Sequence, residues 1–462
     1  MKKNVRFKIR YVISGILIAA ILLSMVFMRL GGLSTGDAAN AEEFRKYAAP
    51  VENLAIPEDK KIIALGEATH GNAEFQHLKL VIMKRLVEDC GVRAFAIEGD
   101  YGGCVQVNRY IHGGAGTAEL AAAAIGFAIY RTNEMTELIS YLREYNKTAS
   151  AGEDIRFYGF DMQRVSHTFR LLTEACAEYQ IDMMGLEEPA EGEPLSDAQA
   201  EALKQIKEEL KTGGAPEKAL HCADMLLQYY ELQSNSTADG GALRDRFMAE
   251  NAEWILRQEQ QNGRERIFVT GHNSHIAKWG SYESMGKILS EEAENGYYAI
   301  GTDFYRTRCN MPAGSSAGRT DQVFYSRDPL AKAAREAGYD ICLLDFAKVP
   351  QDTELSGQIY EYSYMGNLGE HYSPVMRLLP PSYRIFQPPA VLYDSMIFVA
   401  DATPTRIIPQ GYAVNGRWDL RFAMEKTERN PWAGSLRASP LKTPQERKFV
   451  LFLLTPPILL VQ

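Results

Sequence analysis

Short apolar runs alternate with longer amphipathic stretches along this chain. In Lys61-Ile62-Ile63-Ala64-Leu65 the apolar residues are continuous and closed by Gly66, the pattern of a strand buried on both faces. Phe75, Leu78, Ile82 and Leu86 then recur at helical spacing, and Gly91 supplies a natural helix stop. Ala94–Ile97 reads as a second buried strand. Strand, helix, strand in this order predicts a βαβ unit with parallel strands and a right-handed crossover. Residues 155–160 and 266–270 read as further core strands, and Tyr297–Ile300, Ile341–Phe346 and Met396–Ala400 as later ones. Helical patterns fall at 117–147, 167–179, 196–212, 215–233 and 241–261. The expected fold is α/β: a parallel-sheet core over 44–180 and 264–346, a helical insertion over 181–263, and a second smaller α/β part with a tail over 347–462.

An N-terminal membrane segment precedes this body. Residues 11–28 carry no charge, and Lys2, Lys3, Arg6, Lys8 and Arg10 precede them. A basic flank before such a run reads as an export signal whose basic side stays in the cytoplasm. Its length is close to that of a spanning helix, so residues 1–30 are expected to be an anchor or signal. Residues 31–43 form a linker, and Ala39-Asn40-Ala41 is the candidate cleavage site. The body is then expected outside the cytoplasm, held at the membrane or secreted. The apolar end Phe449–Gln462 is broken by Pro456 and Pro457 and is a poor span.

Composition narrows the function. The chain has 462 residues, 46% hydrophobic and 24% charged, as in packed globular proteins. A formal net charge of −9 lacks the basic footprint of a nucleic-acid binder. The six cysteines form no CxxC pair and read as mostly structural.

Chemistry gathers where the strands end. Glu67 and His70 follow the first strand, Glu98 the second, Asp161 the third, and His272 and His275 the fourth. In a parallel sheet these positions share the carboxyl edge, where ligands bind in open α/β sheets. Glu67 and Asp161 also suit helix caps, and His70 suits a packing role. Taken together, the group suits general-base hydrolysis. An imidazole takes a proton from water, and a carboxylate fixes its tautomer. The same Glu/His set also offers ligands for a divalent metal such as zinc. Gly314-Ser315-Ser316-Ala317-Gly318 matches a nucleophile-elbow pattern but lacks the strand before it, so Ser316 is not expected to be a nucleophile.

Several of these stretches resemble the erythromycin esterase family. They are Leu65–Gly71, Glu74-Phe75, Ala96-Ile97-Glu98, Val107–Tyr110, Tyr158–Gln163, Gly271–His275, Gly301–Phe304 and Tyr393–Phe398, in order along most of the chain. The resemblance implies a hydrolase that opens macrolide lactones with a histidine-activated water and no covalent intermediate. It puts the catalytic histidine at His70, the two glutamates at Glu67 and Glu98, and the late histidines at His272 and His275. An arginine that family members carry on the first helix falls on Lys79 here, which loses the planar fork.

The expected assignment follows. His70 is the general base, oriented by Glu67 or Glu98, while the other carboxylate positions water or substrate. His272 and His275 stabilise the oxyanion or the leaving oxygen. Lys79, Arg109 and Asp161 are candidate substrate contacts. No cofactor is required, with a divalent metal as the alternative. The partners are a small ester or lactone and, through the N-terminus, a membrane. A non-catalytic surface binding protein on the same scaffold is the rival of a different class.

Overall fold

The computed structural model describes residues 14–21 and 39–408, apart from residues 191, 236–239, 281, 294, 313–317, 327, 371 and 378–379. The loop holding Ser316, the run Phe449–Gln462 and most of the expected anchor lie outside the described residues. Residues 14–21 form a helix that exposes Ile16, Leu17, Ile18 and Ile21. Among the described residues no helix is long and apolar enough to cross a membrane. All six cysteines are free.

The strands are β1 (Ala48–Ala49), β2 (Ile62–Glu67), β3 (Ala94–Asp100), β4 (Arg156–Asp161), β5 (Ile267–His272) and β6 (Tyr297–Pro312). They continue with β7 (Arg319–Tyr325), β8 (Ile341–Asp345), β9 (Ser363–Gly366), β10 (Arg384–Gln387) and β11 (Ser395–Ala402). One sheet runs β1-β8-β11-β6-β2-β5-β3-β4, and β7 pairs with β6. The pairs from β11 through β6, β2, β5 and β3 to β4 are parallel. β8, β1 and β7 join antiparallel. Every residue of β2, β3 and β5 is buried, as continuous apolar runs require when both faces are covered. The helix Ala73–Cys90 buries Phe75, Leu78, Ile82 and Leu86 and stops at Gly91, whose φ is +64°. The chain then skips one strand position. β5 later fills the gap between β2 and β3.

Three expectations are corrected. The helix expected over 117–147 is two helices, Ala118–Ala124 and Asn133–Thr148. Gly126, at φ +100°, breaks it, and the buried Thr132 side chain caps the second helix by accepting from the Met135 N–H. Over the described residues, 347–462 is not a separate α/β part, because β11 lies inside the main sheet between β8 and β6. Its run Met396–Val399 is wholly buried and needs cover on both faces. Among the described residues, only β9 and β10 pair by themselves. Finally, the last helix of the 181–263 insertion, Gly240–Gln260, packs on β3, β4 and β5 and so belongs to the core.

Candidate active site

β2 and β5 are in register, with Glu67 opposite His272. After Glu67 the chain turns over the sheet edge through Ala68–Asn72. Two glycines allow the close approach: a Cβ at Gly66 would meet Asn273 Oδ1 at 2.2 Å, and one at Gly71 would meet the Asn310 carbonyl oxygen at 2.1 Å. The turn brings His70 Nδ1 to 2.7 Å from Glu67 Oε1. Glu67 Oε2 accepts from Gln76 Nε2 at 3.0 Å and from Lys79 Nζ at 2.8 Å. Lys79 Nζ also donates to Gln76 Oε1 at 2.7 Å.

These contacts set the charges. Burial pushes the Glu67 carboxyl up, but Lys79 and His70 outweigh it and hold the group below its ordinary value. Burial pushes His70 down, but Glu67, with Glu98 and Glu370 behind it, keeps the imidazole above its ordinary value. In neutral His70 the proton sits on Nδ1, facing Glu67, as the hydrogen bond requires. Nε2 is then the free lone pair, with no partner among the described residues.

A second group lies alongside. Glu98 Oε2 accepts the His272 N–H at 3.1 Å, and Oε1 accepts Arg244 Nη2 at 2.6 Å. Arg244 also grips Asp161 through Nε at 3.2 Å and Nη2 at 2.8 Å. Its Nη1 lies 3.1 Å from His275 Nε2, and His275 Nδ1 lies 2.9 Å from Asp245 Oδ1. Burial pushes the Glu98 carboxyl up, but His275, Arg244 and His70 outweigh it and hold it well below the carboxylate range. His272 is the opposite case. Burial, reinforced by His70 and His275, pulls it down to about 3. Its Nδ1 accepts from the Ser274 N–H at 3.3 Å, so its Nε2–H donates to the Leu368 carbonyl at 3.1 Å. The His70 and His272 rings lie 4.9 Å apart.

Glu67, His70, Glu98, Asp161, His272 and His275 are therefore brought together, as expected. Four assignments change. Lys79 is 1% exposed and anchors Glu67 from behind, so it is not placed to touch substrate. Arg109 bonds Gln106 and Glu174 and none of the site's side chains. The fully buried Asp161 holds Arg244 rather than facing the cleft. His272 spends its one N–H on Leu368, which leaves no ring donor for an oxyanion.

Sequence reasoning missed Gln76, Ser274, Arg244 and Asp245. A signal existed for Asp245. It falls in helical phase with the buried Met248, Ala249, Ala252 and Ile255, where a carboxylate needs a buried partner.

The donors fit a divalent ion poorly. Glu67, Glu98 and His275 each face cationic or N–H donors, and both ring nitrogens of His272 are engaged. Among the described residues no three His, Cys, Asp or Glu side chains group as metal ligands.

A mainly parallel sheet whose carboxyl edge carries a buried carboxylate–imidazole pair defines the class. The family model for erythromycin esterase matches residues 87–402, and the chain belongs to that family. It is 25% identical over 353 residues to erythromycin esterase type II of Escherichia coli, covering 64% of this chain and 83% of that one. Its fold is shared with a succinoglycan biosynthesis protein (TM-score 0.63, 18% identity, 80% of this chain and 98% of that one). It is also shared with an erythromycin esterase mutant in its open conformation (TM-score 0.51, 16% identity, 75% and 91%).

Proposed function

We propose that this protein is an ester hydrolase that opens a macrolide-type lactone or related ester with a His70-activated water. The observation that carries the reading is the Glu67–His70 pair: Nδ1 is held at 2.7 Å by a buried carboxylate, and Nε2 has no partner among the described residues. Such an imidazole is a general base with its tautomer fixed. In the first step Nε2 takes a proton from water, the water oxygen bonds the carbonyl carbon, and the carbonyl π pair moves to oxygen. In the second step that pair re-forms the carbonyl, the bond to the alkoxy oxygen breaks, and that oxygen receives the proton from His70. The products are an acid and an alcohol, joined in one chain if the substrate is a lactone.

Positive charge for the oxyanion comes from Arg244. Its bonds to Asp161, Glu98 and His275 leave one Nη1–H without a partner among the described residues. His275, backed by Asp245, accepts from Arg244 and holds it in place. Glu98 holds the His272 segment and takes part in placing the water.

The test is an intact-mass assay for water addition across macrolide lactones and simpler esters. Full-length wild type and His70→Ala are compared, with and without chelator. Water addition by wild type, lost in His70→Ala and indifferent to chelator, is expected. Activity lost with chelator and restored by a divalent ion would move the same side chains to ligand roles. Ligand binding without turnover would favour a binding protein.

We also propose that residues 11–28 hold the body at a membrane, outside the cytoplasm. The charge-free run and its basic flank support this. Fractionation of full-length protein against residues 42–462 tests it, and equal solubility of the two would contradict it.

A further inference from the structure

Arg244 and Asp245 are neighbours on the helix Gly240–Gln260, so their side chains leave its axis roughly 100° apart. One ring from another segment bridges them. His275, on the short helix Asn273–Ile276 that follows β5, turns Nδ1 to both Asp245 oxygens, at 2.9 and 3.0 Å, and Nε2 to Arg244 Nη1 at 3.1 Å. The bridge has a sealed end and an open one. The Asp245 side chain is 1% exposed, whereas those of His275 and Arg244 keep 14% and 13%. Solvent therefore reaches the Arg244 end.

Donor and acceptor roles allow one proton arrangement here. A guanidinium has only N–H donors, so the imidazole nitrogen that faces it must be a lone pair. A neutral imidazole with its lone pair on Nε2 carries its proton on Nδ1, and an ionised carboxylate, an acceptor only, is the partner that this proton needs. The other tautomer would set Nε2–H against Nη1–H and the Nδ1 lone pair against the carboxylate. Asp245 has a second contact: Oδ1 also accepts the Met285 N–H at 2.8 Å, at the start of the helix Met285–Glu292. An asparagine would serve that bond equally well. It would not serve the ring, because its amide can turn an NH2 group to Nδ1 and admit the wrong tautomer.

We infer that Asp245 is a positioning residue for the hydrolysis: by fixing the His275 tautomer it fixes Arg244 Nη1, and with it the direction of the one N–H left for the oxyanion. The inference rests on the hydrolytic reading above. Asp161 and Glu98 hold the Nε and Nη2 side of the guanidinium. Among the described residues, His275 alone holds Nη1, the nitrogen that carries the free N–H. Because the fork is planar, that bond sets where the remaining N–H points. No bond is made or broken at Asp245 or His275, and the proton that leaves the water goes to His70.

The test uses full-length protein with isotope-labelled histidine ring nitrogens, read by NMR, alongside kcat and KM on an ester that wild type hydrolyses. At about pH 8, where an ordinary imidazole is neutral, wild type is expected to show His275 protonated on Nδ1 and bare at Nε2. The signals are assigned by their loss in His275→Gln. Asp245→Asn is expected to move the proton to Nε2 and to lower kcat roughly 10- to 1000-fold, the range for losing one oxyanion donor. KM should stay within about twofold. In an Arg244→Lys background, where the fork is already gone, the same change should cost less than about threefold in kcat, because the two losses share one cause. Wild-type His275 protonated on Nε2, or wild-type kcat in Asp245→Asn, would overturn the inference. So would equal fold losses in the two backgrounds, which would mark a merely structural role. The wild-type spectrum decides the tautomer even if Asp245→Asn does not fold. Absence of ester turnover by wild type would instead overturn the hydrolytic reading, and this inference with it.

Discussion

Glu67 Oε1 lies 2.7 Å from His70 Nδ1, while the other oxygen of the same carboxylate is held at 2.8 Å by the buried Lys79 ammonium. The carboxylate therefore faces a cation on one side and an imidazole on the other. It orients the imidazole and raises its basicity in one contact.

The first prediction concerns pH. His70 must be neutral to accept a proton, and its pKa in the fold is raised above the ordinary 6.5. Activity should therefore rise with pH through a midpoint above 6.5. Glu67→Gln removes the main upward influence and leaves burial pulling down. The midpoint of kcat/KM should move to lower pH, and the plateau should fall by roughly 10- to 100-fold. A midpoint that stays in place would show that Glu67 does not set the basicity of His70.

Arg244 carries a separate prediction. It is the bonded cation for both Glu98 and Asp161. Arg244→Met leaves those buried carboxylates unpaired and should destabilise the protein by about 3–5 kcal/mol. With the partner present, the Glu98 pKa is depressed, so its stabilising effect holds above the unfolded carboxylate value and is lost progressively as pH falls from there through the lower folded value. The stability difference between wild type and Arg244→Met should thus be largest near neutral pH and shrink below roughly pH 4. Denaturant titrations at several pH values check this.

A third prediction is purely structural. The His221 ring stacks on Trp254 at 3.9 Å with an angle of 2° between planes, and its Nε2 has no partner among the described residues. Burial, with Lys207 and Arg257 nearby, pulls its pKa down from 6.5 to about 3. The fold holds it neutral while the unfolded chain protonates it. Its contribution to stability is complete above about pH 6.5 and is lost as pH falls toward 3. His221→Phe keeps the stack and should flatten the acid loss by up to about 1.4 kcal/mol per pH unit in that window. Parallel stability curves for the two proteins would contradict it.

Arg319 and Glu370 form a bidentate pair at the rim. Arg319 also holds Asn310, whose N–H bonds the Gly71 carbonyl at 3.0 Å. Two residues before Glu370, the Leu368 N–H bonds the Ala68 carbonyl at 2.8 Å. The pair thus straps the His70 turn from both sides. It is partly exposed, so Glu370→Gln should change stability by less than about 1 kcal/mol. The same variant should shift the pH midpoint in the direction of Glu67→Gln, but by less.

The legible parts of this protein are those where one local rule decides the outcome. Ile62–Leu65, Ala94–Ile97 and Ile267–Val269 read as strands because both faces are buried, and the glutamates and histidines at their ends read as a site because parallel strands share an edge. Arg244 and Asp245 were hidden because they reach the site sideways from a helix, across a separation that no local pattern spans. Lys79 reads as a substrate contact because a buried ammonium looks the same in sequence as an exposed one until Glu67 is seen opposite it. The break at Gly126 was masked by the alanine-rich run Ala121–Ala124, which alone favours a continuing helix.

The most direct test of the central claim is single-turnover hydrolysis in heavy-oxygen water, reading the masses of product and protein together. The account predicts one heavy oxygen in the acid product, no acyl mass on the protein at any time, and no product from His70→Ala. An acyl adduct on the wild-type protein, or wild-type rates from His70→Ala, would contradict it.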